Sequence, residues 1–338
     1  MQEIKVQNQN FKNRILKHGL VLVTFLILTL IITFPVILDF GTEAAGSGCY
    51  DKCHMMWRMW WTNFSFDNDL DFYHSNYLFY PNGVPISGNL AQFTTGIGAI
   101  LQNGLGSTFA WNIIWLSGFV FGGYGAYLLA EHFTKNPYAS IVSGIIFTFS
   151  TYHMVHSEFH IGLSMIFWVP LFILVLFKIL EENSKKLIFA GSAFFFLSAI
   201  THLYFLVFLV MFSIVFFAVF SLKQKNISQK TFVTNYSMIL GIGIIACLIV
   251  FSPILFSDIE HEKRPIDEHI EYSSGLINFV TPTFFHSSQI FSENDILKNM
   301  YLMFNEDTQF NSHYETYSYL GYSVIVLSVL ALKFKFRF

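Results

Sequence analysis

The chain has 338 residues, 54% of them hydrophobic and only 12% charged, where soluble domains run at about 25% charged. A water-soluble fold of this size would leave more apolar surface than its interior can hide, so composition excludes a soluble protein and asks for lipid as solvent. The net charge of −3 comes with no long block of Lys and Arg, which excludes nucleic acid as a partner.

In chain order, eight apolar stretches approach the ~20 residues that a helix needs to cross about 30 Å of hydrocarbon. They are Leu20–Leu38, Phe109–Ala130, Tyr138–Thr151, Ile161–Leu180, Leu187–Ile200, Leu203–Leu222, Phe232–Phe256 and Tyr317–Leu332. The first is too long for the core of a cleavable signal peptide and lacks a small-residue cleavage site, so it reads as a retained span. A ninth stretch, Asn89–Asn103, carries Asn89, Gln92, Gln102 and Asn103, and reads as a helix at the interface or dipping in. With eight spans and a cytoplasmic N-terminus, the outside holds only Lys52, Arg58, Lys263, Arg264 and Lys298 of the 19 basic residues. The positive-inside rule asks for that bias; counting the ninth stretch as a crossing would destroy it. The expected fold is therefore an all-α integral membrane domain over residues 1–338, with about eight transmembrane helices. Its two large extracytoplasmic loops are residues 41–108 and 257–316.

The outer side collects most of the histidines and carboxylates. After the first span, Gly41, Gly46 and Gly48 mark a turn, and a helical pattern follows. Met56, Trp57, Trp60 and Phe64 make an apolar stripe, while Asp51, His54 and Arg58 fall at i, i+3 and i+7 on a more polar side. One reading is an interfacial anchor with tryptophans at headgroup depth. The other is an Asp51 held where a lipid headgroup and a water-soluble substrate meet. Cys49 and Cys53 with His54 imitate a haem-attachment string with one residue too many between the cysteines. That leaves a structural disulfide or free thiols. Between the third and fourth spans, His153, His156 and His160 also stand at i, i+3 and i+7 with Glu158 nearby. Three imidazoles on one face suit a divalent metal or a phosphate, and ordinary interfacial histidines bonded to headgroups and water are the alternative. In the second loop, Lys263 and Arg264 suit a phosphate, against the plainer reading of a solvated charged loop.

The string DKCHMMWRMWW, followed by DFYHSNYLFYPNGVPI, resembles the first outer loop of prokaryotic multi-pass proteins placed with the glycosyltransferases of the GT-C fold. FGGYGAYLLAEHFT, FTFSTYHMVHSEFHIG, GLINFVTPTFFHS and YLGYSVIVLSVLAL follow in matching order, so the resemblance runs from about Thr33 onward. It implies a membrane enzyme that takes a sugar from a polyprenyl-phosphate donor on the outer face, with a catalytic acid in the first outer loop. Asp51 occupies that position, and His156 and His160 match a recurrent histidine pair. Such enzymes generally have more spans and often a soluble C-terminal domain, so the expectation here is a fragment, a split half or a reduced member. The expected activity is transfer of a sugar to an acceptor hydroxyl. Asp51 is the expected base, Arg58, His156, His160 and Lys263 or Arg264 stabilise phosphate charge directly or through a divalent metal, and His54 and His153 are further substrate-binding candidates. The expected partners are the polyprenyl-phosphate-linked sugar and membrane lipids. The alternative is a non-catalytic transporter, flippase or assembly subunit for lipid-linked saccharides.

Overall fold

The computed structural model describes residues 2–49, 51–86, 91–222, 227–256, 265–266, 276–280 and 318–333. Among these the fold is helical, the only pairing of extended chain being His74–Ser75 against Val84–Pro85. In chain order the helices are α1 (Gln2–Ile32), α2 (Asp51–Asp67), α3 (Gln92–Leu105), α4 (Ser107–Thr134), α5 (Pro137–Thr148), α6 (Thr151–Phe159), α7 (Ile161–Ser164), α8 (Trp168–Lys178), α9 (Lys185–Thr201), α10 (Leu203–Phe220), α11 (Gln229–Leu255) and α12 (Tyr322–Lys333).

Among the described residues, five helical stretches are long and apolar enough to cross a membrane: Lys12–Ile32, Ser107–Thr134, Ile161–Lys178, Leu203–Phe220 and Gln229–Pro253. They overlap five of the eight expected spans, the first ending at Ile32 rather than Leu38, and the chain is a membrane protein. The other three stretches form shorter helices, α5 and α12 of 12 residues each and α9 of 17. At 1.5 Å per residue, 12 residues rise only about 18 Å, well short of the hydrocarbon thickness. Sequence hydropathy cannot see where a helix breaks. Asn136 caps α5 by accepting from the Tyr138 and Ala139 N–H groups, with Pro137 at the first helical position. The Ser150 side chain then accepts from His153 N–H to restart the chain as α6.

Among the described residues the two largest apolar clusters join most of the helices. Phe172, Leu176, Phe195, Leu209, Phe232 and Ile239 join α8 through α11. Met55, Met59, Trp111, Trp115, Phe119 and Ile161 join α2 and α4 to the start of α7. The ninth stretch forms a helix, α3, and two of its polar residues, Gln102 and Asn103, bond across to α2. Gln102 Nε2 donates to Met59 O at 2.7 Å, and Asn63 Nδ2 donates to Ala99 O and Asn103 Oδ1, both at 2.8 Å. In a bilayer such inter-helix bonds have no water to compete with them.

α1 docks on α4 and α5 by inserting Phe25, which is 0% exposed, against Gly123 and Gly144. A Cβ at Gly144 would run into the Phe25 ring and reach 2.6 Å from Gly123 O, a backbone atom that cannot yield. Gly144→Val is therefore expected to lower the thermal midpoint in detergent by an overpacking cost of about 1–3 kcal/mol. Gly19→Ala, with nothing within 4 Å of the new methyl, should leave it unchanged. Equal midpoints for the two variants would exclude this packing.

Candidate functional site

The site is assembled by the N-terminal third of α4. Asn112, fully buried, donates from Nδ2 to Phe40 O and Glu43 O, both at 2.7 Å, and its Oδ1 accepts from Ala45 N–H at 2.8 Å. Trp111 Nε1 donates to Ala45 O, and Trp115 Nε1 donates to Ser157 O. Two segments more than a hundred residues apart, the glycine-rich turn and α6, are thus fastened to one helix. They also fasten to each other, since Ser47 gives its N–H to Glu158 O at 2.9 Å and its hydroxyl to Glu158 Oε2 at 2.8 Å. Gly46 makes that approach feasible, at φ +94° and with room for no side chain beside Glu158 O. Glu158 is therefore a structural clasp.

Asp51 is the first residue of α2, and its carboxylate lies at the positive end of that helix. A Cys49–Cys53 disulfide straddles the start, so of the two sequence alternatives the bonded one is present. Opposite it, His160 Nδ1 meets Asp51 Oδ2 at 2.5 Å, with the side chains 16% and 42% exposed respectively. Desolvation pushes the Asp51 carboxyl upward, but the hydrogen bond and charge of His160 outweigh it and leave the carboxyl below its ordinary value.

The three histidines do not share one face. α6 ends at Phe159, and His160 leaves the helix at φ −135°, ψ 79°. That break destroys the i, i+7 relation and turns the His160 ring towards Asp51. His153 faces the other way. It is 0% exposed, packs its ring tilted against Phe119 at 4.6 Å and has Nδ1 2.6 Å from Thr148 O. It is a core residue of the α4–α6 contact, not a wall of the Asp51 site. His156 is buried between them, with Tyr152 edge-on at 4.3 Å and the His160 ring at 5.8 Å. Among the described residues no group of His, Cys, Asp and Glu is arranged to hold a metal ion.

On α2 the burial differs from the amphipathic reading. The buried face is Met55, Arg58, Met59, Trp61 and Ser65, while Trp60 is 38% exposed and packs on Phe64 and Tyr77. Of the three tryptophans of α2, Trp60 is exposed, Trp57 half-buried and Trp61 buried, and the charged Arg58 turns inward, at 6% exposure. Among the described residues the Arg58 guanidinium has no hydrogen bond or ion pair, and burial pulls it down to about 10. His54 stays at the surface of α2, one turn from Asp51. Lys263 and Arg264 lie outside the described residues.

One member of the site was missed by sequence reasoning. His202 joins α9 to α10, and its Nδ1 accepts from Tyr204 N–H at 3.3 Å as the α10 cap. It stands against Gly162, within electrostatic reach of Asp51 and His160. The available signal was a lone histidine between two long apolar runs.

Both His153 and His202 are held neutral, pulled down to about 4 chiefly by burial. Unfolded, they titrate near 6.5. Between pH 6.5 and 4 the unfolded chain binds protons that the folded chain refuses, so stability falls as pH falls through that window. Asp51 adds nothing there, because a depressed carboxyl loses its stabilisation only below about pH 4. The thermal midpoint in detergent should drop between pH 7 and pH 5, and His153→Gln should remove part of that drop. A flat midpoint across the window would exclude neutral buried rings.

Residues 96–337 match a protein family described as a domain of unknown function, DUF6311. The chain belongs to that family. The matched region takes in His153, His156, His160 and His202, while Asp51 and Arg58 precede it. No curated protein matches the sequence.

Proposed function

We propose that the protein is a GT-C-like membrane glycosyltransferase that moves a sugar from a polyprenyl-phosphate donor to an acceptor hydroxyl at the extracytoplasmic face. The observation that carries this reading is the Asp51–His160 pair, formed between two distant loops at one end of the helices. A carboxylate held ionised by an imidazole accepts the acceptor's proton while the hydroxyl oxygen attacks the anomeric carbon. The C–O bond to the carrier breaks, and polyprenyl phosphate leaves without needing a general acid. Arg58, sharing the Asp51 face of α2 about 10 Å further along the axis, receives the phosphate charge, and His156 borders the same end.

The donor's chain has a place beside this pair. Tyr152, packed on His156, opens an apolar cleft of about 630 Å³ formed with Phe147, Ile166, Phe205, Phe212 and Leu320. Orientation is supported by charge. The opposite end of α1, α4 and α8 gathers Arg14, Lys17, Lys135 and Lys178, with Lys17 paired to Glu131 and His132 3.3 Å from Glu181. A basic end faces the cytoplasm, which puts Asp51 and the disulfide in the compartment where disulfides persist. In this reading the three shorter helices α5, α9 and α12 also cross, which gives eight crossings.

The test is transfer itself. The full chain in proteoliposomes, given a radiolabelled polyprenyl-phosphate hexose and total membrane extract, should release the sugar from its carrier into a new product. Label that stays on the carrier with every acceptor fraction would refute the reading.

A further inference from the structure

His202 belongs to the site and has no task in the transfer described above. It closes α9 and opens α10: its backbone N–H donates to Ser198 O at 3.1 Å, and its Nδ1 accepts from Tyr204 N–H at 3.3 Å. A backbone N–H can only donate, so the lone pair on Nδ1 must be free to receive it. The neutral ring therefore carries its proton on Nε2. A second proton, on Nδ1, would face the Tyr204 N–H. The helix cap thus selects one tautomer, a neutral imidazole whose Nε2–H donates.

That donor stands where two parts of the site meet. Cδ2, the ring atom bonded to Nε2, lies 3.1 Å from where a Cβ on Gly162 would be, two residues after His160. The ring also packs on Phe205, with centroids 6.1 Å apart at 65°. Phe205, Phe208, Leu209 and Phe212 line the cleft assigned above to the polyprenyl chain. Their spacing of i, i+3, i+4 and i+7 makes one face of α10, so the cleft runs along that helix away from His202. The ring is half-buried, and among the described residues the Tyr204 N–H is its only hydrogen-bond partner.

We propose that His202 is a ligand of the donor's phosphate, giving its Nε2–H to a non-bridging phosphate oxygen at the head of the α10 cleft. The proposal rests on the transferase reading for its donor. An isoprenoid chain lying along α10 ends at Phe205, and the phosphate it carries then meets the His202 ring before it reaches Asp51. No proton leaves the imidazole. As the bond from the anomeric carbon to the carrier oxygen breaks, charge gathers on that phosphate, and a hydrogen bond from a fixed donor strengthens with it. Arg58 supplies full charge in that reading, and His202 supplies direction.

The test compares binding of decaprenyl phosphate with that of decaprenol, the same chain without its phosphate, to the full chain in detergent, read by quenching of tryptophan fluorescence. His202→Ser and His202→Thr each keep a hydroxyl oxygen to cap α10 and remove the Nε2–H. Both should bind decaprenyl phosphate roughly tenfold or more weakly, the size expected of a hydrogen bond to a charged group, and decaprenol as the parent does. Unchanged affinity for the phosphate overturns the proposal and leaves the transferase reading intact. Equal losses for both lipids also overturn it, because His202 would then only shape the cleft. A parent that does not prefer the phosphate to the alcohol sinks the donor reading together with the proposal. A measurement on the parent covers variants that fail to fold. With nitrogen-15-labelled histidine, decaprenyl phosphate should shift the Nε2 resonance of a neutral imidazole while decaprenol does not, and no such shift overturns the proposal.

Discussion

Replacing Asp51 by Asn should stop sugar transfer while leaving the folded protein in the membrane. An amide keeps the shape and can still bond His160, but it cannot take a proton, and general-base catalysis is worth about 10²–10⁴-fold. The exposed Asp67 and Asp69 should tolerate the same change, and so should Asp71, whose carboxylate only turns the chain by accepting from Tyr73 N–H at 2.8 Å. His160 acts through Asp51 as a positioning residue, and pH separates the two roles. Because His160 holds the Asp51 carboxyl below its usual range against desolvation, the parent rate should be flat from about pH 5 upward. His160→Ala removes the lowering influence and leaves burial, so its acid limb should move to higher pH as the rate falls. A parent rate that instead climbs through the histidine range, near pH 6.5, would hand the proton to His160. Asp51→Asn turning over at the parental rate would move the base elsewhere, with Glu43 next and Glu158 excluded from first place by its bonds to Ser47.

The membrane class and the neighbourhood of Asp51 were readable from the residues, because hydropathy and charge bias are summed properties that survive local error. What was not readable is where helices stop. The histidine spacing at 153, 156 and 160 promised one face, and the promise failed because Phe159 ends α6 one residue too soon. The same break that removed the expected metal face created the Asp51–His160 contact, so the site owes its existence to a feature no periodicity announces. Arg58 was placed on the polar side of α2 by counting apolar neighbours. The wide buried face of Met55, Met59 and Trp61 takes it in as well, and only tertiary packing decides which side of an amphipathic helix meets the protein rather than the lipid. His202 lay hidden because a residue at a helix junction belongs to neither helix's pattern.

Arg58 supplies the second large effect, and it has an unusual sign. A buried guanidinium without a partner among the described residues is a burden on the empty protein, since taking a charge out of water costs more than the interior returns unless an anion meets it. Arg58→Met keeps the stem's packing and discards the charge. The empty protein should then melt at a higher temperature than the parent. Binding of polyprenyl phosphate, read by quenching of the Trp57, Trp60 and Trp61 fluorescence on the same helix, should weaken by roughly tenfold or more, which corresponds to about 1.4 kcal/mol. Arg58→Lys should not restore it fully, because an ammonium lacks the planar fork that grips two phosphate oxygens. The two readouts pull apart the competing explanations. If Arg58 serves only to hold α2 in place, its loss must lower the melting temperature, and a more stable variant that no longer binds phosphate is an outcome that a purely structural arginine cannot produce.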